Sequence, residues 1–213
     1  MTFDIHRIDN LDSMEEGAGA AFDEYCSELL DLFAQSPEGQ KHRETYPESG
    51  WWAEMMMDYA FRYFGFSIAQ IKAEYFEELI SDVLPRKVSL QKREEALDAI
   101  PEMIAFWNFI KREFRTRNAS GILKYLETFS PDEFADSMFD PRRAGMAKSF
   151  FMQGAAAGFD MTDTEQAHQF MAVHNAARIM QVEAEKSKAK KDEAEEKKKR
   201  KAEKAARKRH KKK

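Results

Sequence analysis

Between Ile68 and Val83 the apolar residues fall at Ile68, Ile71, Tyr75, Phe76, Leu79, Ile80 and Val83, a three-to-four spacing. That spacing gathers them on one face of an α-helix and scatters them over both faces of a strand, so the segment must be helical. Ser67 and Gln70 fit a capping box at its start, with Phe66 and Ile71 as the accompanying hydrophobic staple, and Pro85 marks its end.

The same period recurs along the chain. Phe22, Tyr25, Leu29, Leu32 and Phe33 predict a helix over Ala18–Gln35, ended by Ser36-Pro37-Glu38-Gly39. A polar connection from Gln40 to Gly50 leads to a second helix that starts at Trp51-Trp52 and ends near Phe64-Gly65. Pro101 suits the first turn of a helix over 101–115, with another at 119–129. Ser130-Pro131-Asp132-Glu133 combines a cap, a first-turn proline and a capping-box glutamate, which fixes a helix start. Asp140-Pro141 repeats the device and opens a helix to about Gly158, while Thr162 and Glu165 make a capping box for the last one. The first fifteen residues are poorly patterned and read as an irregular arm. No run alternates apolar and polar residues convincingly. The expected fold is all-α: a multi-helix globular bundle of about eight helices with a charged C-terminal extension, helical or disordered.

From Glu183 onward the apolar face vanishes. Residues 183–213 carry 16 Lys/Arg against 7 Asp/Glu, a net charge of +9, and residues 1–182 hold 18 bases against 31 acids, a net of −13. The overall charge of −4 therefore hides a dipolar chain. The expected organisation is an acidic helical domain over 1–182 and a basic tail over 183–213. Lys197, Lys198, Lys199, Arg200 and Lys201, then Arg207, Lys208, Arg209, Lys211, Lys212 and Lys213, form an electrostatic footprint for nucleic acid or ribonucleoprotein. The tail has no aromatic residue to stack on bases and no apolar face for membrane insertion. A solubilising extension, or self-association of the tail with an acidic body, fits the same charges.

The aromatic and methionine-rich block from Trp51 to Phe66 is the second signal. One helix cannot bury all of it on a single stripe, so Trp51, Trp52, Met55 and Met56 are candidate partner-binding residues, against a default of core packing. Catalytic patterns are weak. Glu165-Thr-Gln-His168 matches a di-iron motif once and finds no second copy. Gly154-Ala-Ala-Ala-Gly158 lacks the lysine and preceding strand of a phosphate loop. The lone cysteine, Cys26, sits among apolar helix positions and reads as an inert core thiol. No catalytic residue, metal or cofactor is assigned. The helices at 119–129 and 131–139 are joined too tightly, and the second is too acidic, for a helix-turn-helix. A single cysteine and a start, Met1 to His6, without the features of a signal peptide give a cytoplasmic expectation.

Glu77-Glu78-Leu-Ile-Ser-Asp-Val-Leu-Pro85-Arg86-Lys87-Val88, the Ala105-Phe106-Trp107-x-Phe109 helix and Gly154-Ala-Ala-Ala-Gly158-Phe159-Asp160 are similar to segments of uncharacterised bacterial all-helical proteins, some with basic tails. The resemblance spans about residues 76–175 and implies a bacterial, cytosolic helical protein without assigned activity. The functional expectation is a non-enzymatic α-helical binding protein whose tail contacts nucleic acid. The alternative is a protein–protein adaptor that uses the 51–66 block, with the tail only solubilising.

Overall fold

The computed structural model describes residues 3–47 and 49–210, with side chains described through residue 189. The fold is all-α, and no strand occurs among the described residues. Its helices are α1 (Ala18–Gln35), α2 (Pro37–Arg43), α3 (Trp51–Arg62), α4 (Ala73–Glu78), α5 (Leu84–Lys87), α6 (Ala99–Phe114), α7 (Ala119–Leu126), α8 (Pro131–Phe139), α9 (Met146–Ala156) and α10 (Thr164–His210). Contacts divide the chain into two compact units, Met1–Phe150 and Phe151–Lys213.

In the first unit α6 is the central element, packing against α2, α3, α7 and α8. Its pattern Met103, Phe106, Trp107, Phe109, Ile110 is wholly buried, because residues three and four apart share the inward face. Phe33 and Phe76 meet it edge-on, at 5.3 Å from Phe106 and 5.6 Å from Trp107. Trp107 donates its indole N–H to the Met56 sulfur at 3.2 Å, so one of the few polar atoms of this core is paired.

Several helix ends depart from the sequence pattern, each for a local reason. Ser36 does not simply end α1: its hydroxyl accepts the Gly39 N–H at 3.0 Å and starts α2, which runs on into the expected polar connection. Gly39 is obligatory there, since a Cβ would lie 2.0 Å from the Phe33 carbonyl oxygen. Ser67 and Gln70 form only a single turn, and α4 begins at Ala73. Gln70 Oε1 still accepts the Ser67 N–H at 3.5 Å, but Ser67 Oγ is drawn to the Asp9 carboxylate of the N-terminal arm, and Gln70 Nε2 donates to the Asp9 carbonyl at 2.9 Å. The arm is irregular as expected but tightly held, with Ile5 and Ile8 in the core and Tyr25 donating to the Ile5 carbonyl at 3.0 Å.

Pro85 does not stop its helix. A π-helical turn at Leu79–Val83 joins α4 to α5. Proline has no N–H to offer the carbonyl four residues back, that of Ser81. Arg143 Nη1 supplies the missing donor at 2.7 Å. Asp140-Pro141 makes a turn in which Asp140 binds Arg142, and α9 starts later, at Met146. The capping box at Ser130 and Glu133 is present in both directions.

In the second unit Asp163, rather than Thr162, caps α10 by accepting the Gln166 N–H at 2.8 Å, while the Thr162 hydroxyl binds Asp160. Phe159 and Phe170 pack at 5.5 Å. Val173, Ile179 and Met180 are 57–69% exposed. The tail side chains proposed to meet nucleic acid, Lys197 to Lys213, lie outside the described residues.

Candidate binding groove

α1 and α3 pack antiparallel: Asp23 near the start of α1 lies beside Arg62 at the end of α3, and Asp31 and Trp51 line one groove at the opposite ends. The pattern of α3 explains the groove. Trp52, Ala53, Met56, Met57, Ala60 and Phe61 form a broad buried face, which leaves Trp51, Glu54, Met55, Asp58 and Arg62 along its outer edge. On α1, Asp23, Ser27 and Asp31 recur every fourth residue and line the facing edge. Between them lies a groove of about 600 Å³ floored by Phe22, Cys26 and Leu30. A recess of about 280 Å³ continues past Trp51 to Arg43, Ser49 and Gly50.

One end of the groove already holds a cation. Arg62 Nη2 donates to Asp23 at 2.8 Å and its Nε to Asp58 at 2.5 Å. Its guanidinium carbon stands 5.3 Å from the centroid of the Phe22 ring. Two carboxylates and an aromatic face therefore clasp a guanidinium. At the other end Asp31 and Glu54 are exposed, and neither enters an ion pair among the described residues. Trp51 stands beside them with 41% of its surface open.

Cys26 underlies the groove, but its thiol is pushed up to about 12 by burial, and the carboxylates of Glu54, Asp23 and Asp58 add to the effect. It stays a protonated thiol at neutral pH, which suits a floor residue rather than a nucleophile.

Behind the recess the start of α3 is built from a distance. Gly50, with φ 116°, precedes the helix in a conformation suited to glycine and has no side chain to cap with. Glu102, in the first turn of α6 and 0% exposed, supplies the cap by accepting the N–H of Gly50 at 2.9 Å and of Ala53 at 2.7 Å. Burial pushes the Glu102 carboxyl upward, while these N–H donors pull it down. His42 from α2 places Nε2 3.9 Å from Glu102 and stacks on Tyr46, and burial lowers its affinity for a proton. Trp52 fixes the same corner through its indole N–H, 2.8 Å from Asp98.

The four expected partner-binding residues thus separate. Trp51 and Met55 line the groove, whereas Trp52 and Met56 are 1% and 0% exposed and belong to the core. Their inward position follows from the helix period, since 52 and 56 lie on the face toward α6 and 51 and 55 on its edge. Asp23, Asp31, Glu54 and Asp58 were not singled out from the sequence. The signal was present as acids at i and i+8 on α1 (Asp23, Asp31) and at i and i+4 on α3 (Glu54, Asp58). Glu165 and His168 sit at the start of α10, and no group of three His, Cys, Asp or Glu side chains is placed to hold a metal ion among the described residues. Nor, among the same residues, is any helix long and apolar enough to cross a membrane. No family model matches the chain, and no curated protein or solved structure is similar to it.

Proposed function

We propose that the chain is a non-enzymatic helical binding protein whose basic tail contacts nucleic acid or ribonucleoprotein. The observation that carries this reading is the separation of charge along the chain, +9 over 183–213 against −13 over 1–182. From Lys197 to Lys213 there are 12 bases and one acid, a density suited to replacing the counterions of a phosphate backbone without reading its sequence. The acidic body repels the same polyanion, so contact concentrates on the tail. Titration of labelled RNA and duplex DNA with the full chain and with a chain ending at residue 182 tests the assignment. Binding by the full chain at near-physiological salt, lost on truncation, is the expected result. Equal binding by both chains removes the tail from the function.

The α1–α3 groove favours a second reading, a protein–protein adaptor. It narrows the expected partner surface to Trp51 and Met55 and gives it acidic rims.

A further inference from the structure

We propose that the open end of the α1–α3 groove, formed by Trp51, Asp31 and Glu54, receives the arginine- and lysine-rich tail of a second copy of this chain. The inference rests on the adaptor reading of the groove and names its partner.

The template for the ligand is inside the groove itself. Arg62 shows how this pair of helices holds a guanidinium, clasped by one carboxylate from α1 and one from α3 over an aromatic ring. Asp31 of α1 and Glu54 of α3 line the groove and the recess that continues it. Trp51 takes the part of the ring, and indole is the strongest cation–π partner among the aromatic side chains. At this end no residue of the α1–α3 pair supplies the cation. Glu54 lies in the first turn of α3. Arg43 of α2 lines the same recess as Asp31 and Glu54, without forming an ion pair with either among the described residues.

The occupant follows from charge complementarity. The chain carries its own basic segment, with Arg207 and Arg209 among lysines, and its body carries the opposite charge. The occupant is a second molecule, and assembly that rises with concentration distinguishes it from a tail bound within its own chain. Reciprocal exchange closes a dimer, and one-way exchange extends a chain of molecules. Nucleic acid and the groove then compete for one tail, which makes assembly and polyanion binding mutually exclusive.

Sedimentation of the full chain over a range of concentrations, at low and high salt, tests this. The probes are Trp51→Ala and the double variant Asp31→Asn with Glu54→Gln, all at exposed positions. Glu78→Gln with Glu127→Gln removes equal charge elsewhere and serves as the control. The expected result is salt-sensitive self-association that weakens about tenfold in the groove variants and is unchanged in the control. Adding single-stranded RNA should dissociate the wild-type assembly. A chain that stays monomeric at every concentration, or that assembles equally well with the groove variants, overturns the proposal. So does a synthetic peptide of residues 197–213 that binds wild type and groove variants alike. RNA binding by the monomeric groove variants reads the nucleic-acid assignment separately, so the two proposals fail independently.

Discussion

Two helices of this protein begin in opposite ways. α8 is capped by its own neighbours: Ser130 accepts the Glu133 N–H at 3.1 Å and Glu133 accepts the Ser130 N–H at 3.0 Å. α3 starts on a glycine with nothing to offer and takes its cap from Glu102, 52 residues away from Gly50 in sequence. The first cap is exposed and exchanges readily with water. The second is buried, so the carboxylate and the N–H groups it satisfies have no alternative partner. A local cap steers the chain into a helix, whereas a distant one ties that helix to the rest of the fold.

Glu102→Ala should show the contrast most strongly. It leaves the buried Ala53 N–H and the half-buried Gly50 N–H unmet, and a loss of about 2–4 kcal/mol in denaturant unfolding is expected. A loss no larger than that of a surface cap would erase the distinction drawn between α3 and α8.

Lys148 extends the comparison to the other end of α8. It is 4% exposed, and its ammonium donates to the carbonyls of Met138 at 2.6 Å and Pro85 at 2.8 Å. It thus ties the last turn of α8 to α5. Lys148→Met removes both bonds and should cost about 1–3 kcal/mol. Burial lowers the lysine to about 8. Because the folded chain releases this proton before the unfolded chain does, the wild type should gain stability as pH rises from about 8 towards the ordinary lysine value of about 10.4. Cys26, shifted upward, opposes this above the ordinary thiol range. Only the difference between wild type and Lys148→Met isolates the lysine, and a difference flat with pH would contradict its assignment.

Ser130→Ala, the local counterpart, should cost about 1 kcal/mol. The smallest effects are the pH slopes at the α3 corner. Glu102 is shifted upward, so its contribution falls as pH rises above the ordinary glutamate value of about 4.3. His42 is shifted downward, so its contribution is complete above about 6.5 and is lost as pH falls. Glu102→Gln should remove the first slope and retain the second. Parallel wild-type and variant curves across this range would show that the carboxyl does not titrate differently on folding.

The same contrast explains what could be read from the sequence. The Ser130 box and the Ala18–Gln35 helix are short-range patterns, and both were legible. The helix at Ser67 was predicted and is only a turn, and Asp9, distant in sequence, takes the Ser67 hydroxyl that would have capped it. Trp52 and Met56 were placed with Trp51 and Met55, although one step around the helix separates core from groove. The acids of the groove were legible as spacing on each helix, but their convergence depends on how α1 and α3 pair. Glu102 carried no local signal at all, since its role exists only where α6 meets the start of α3.

The π turn at Leu79–Val83 has a consequence for the ancestry of this chain. Such a turn is what one inserted residue leaves behind when the core on both sides is kept in place. Removing one residue would restore an ordinary helix with both sides still in phase, whereas fitting the same residue into a regular α-helix would rotate everything beyond it by about 100°. A relative without the insertion should therefore align with a single gap here, its core pattern continuing in phase on both sides. The Pro85 that follows is tolerated because Arg143 answers the carbonyl of Ser81, so gap, proline and arginine should be gained or lost as a set.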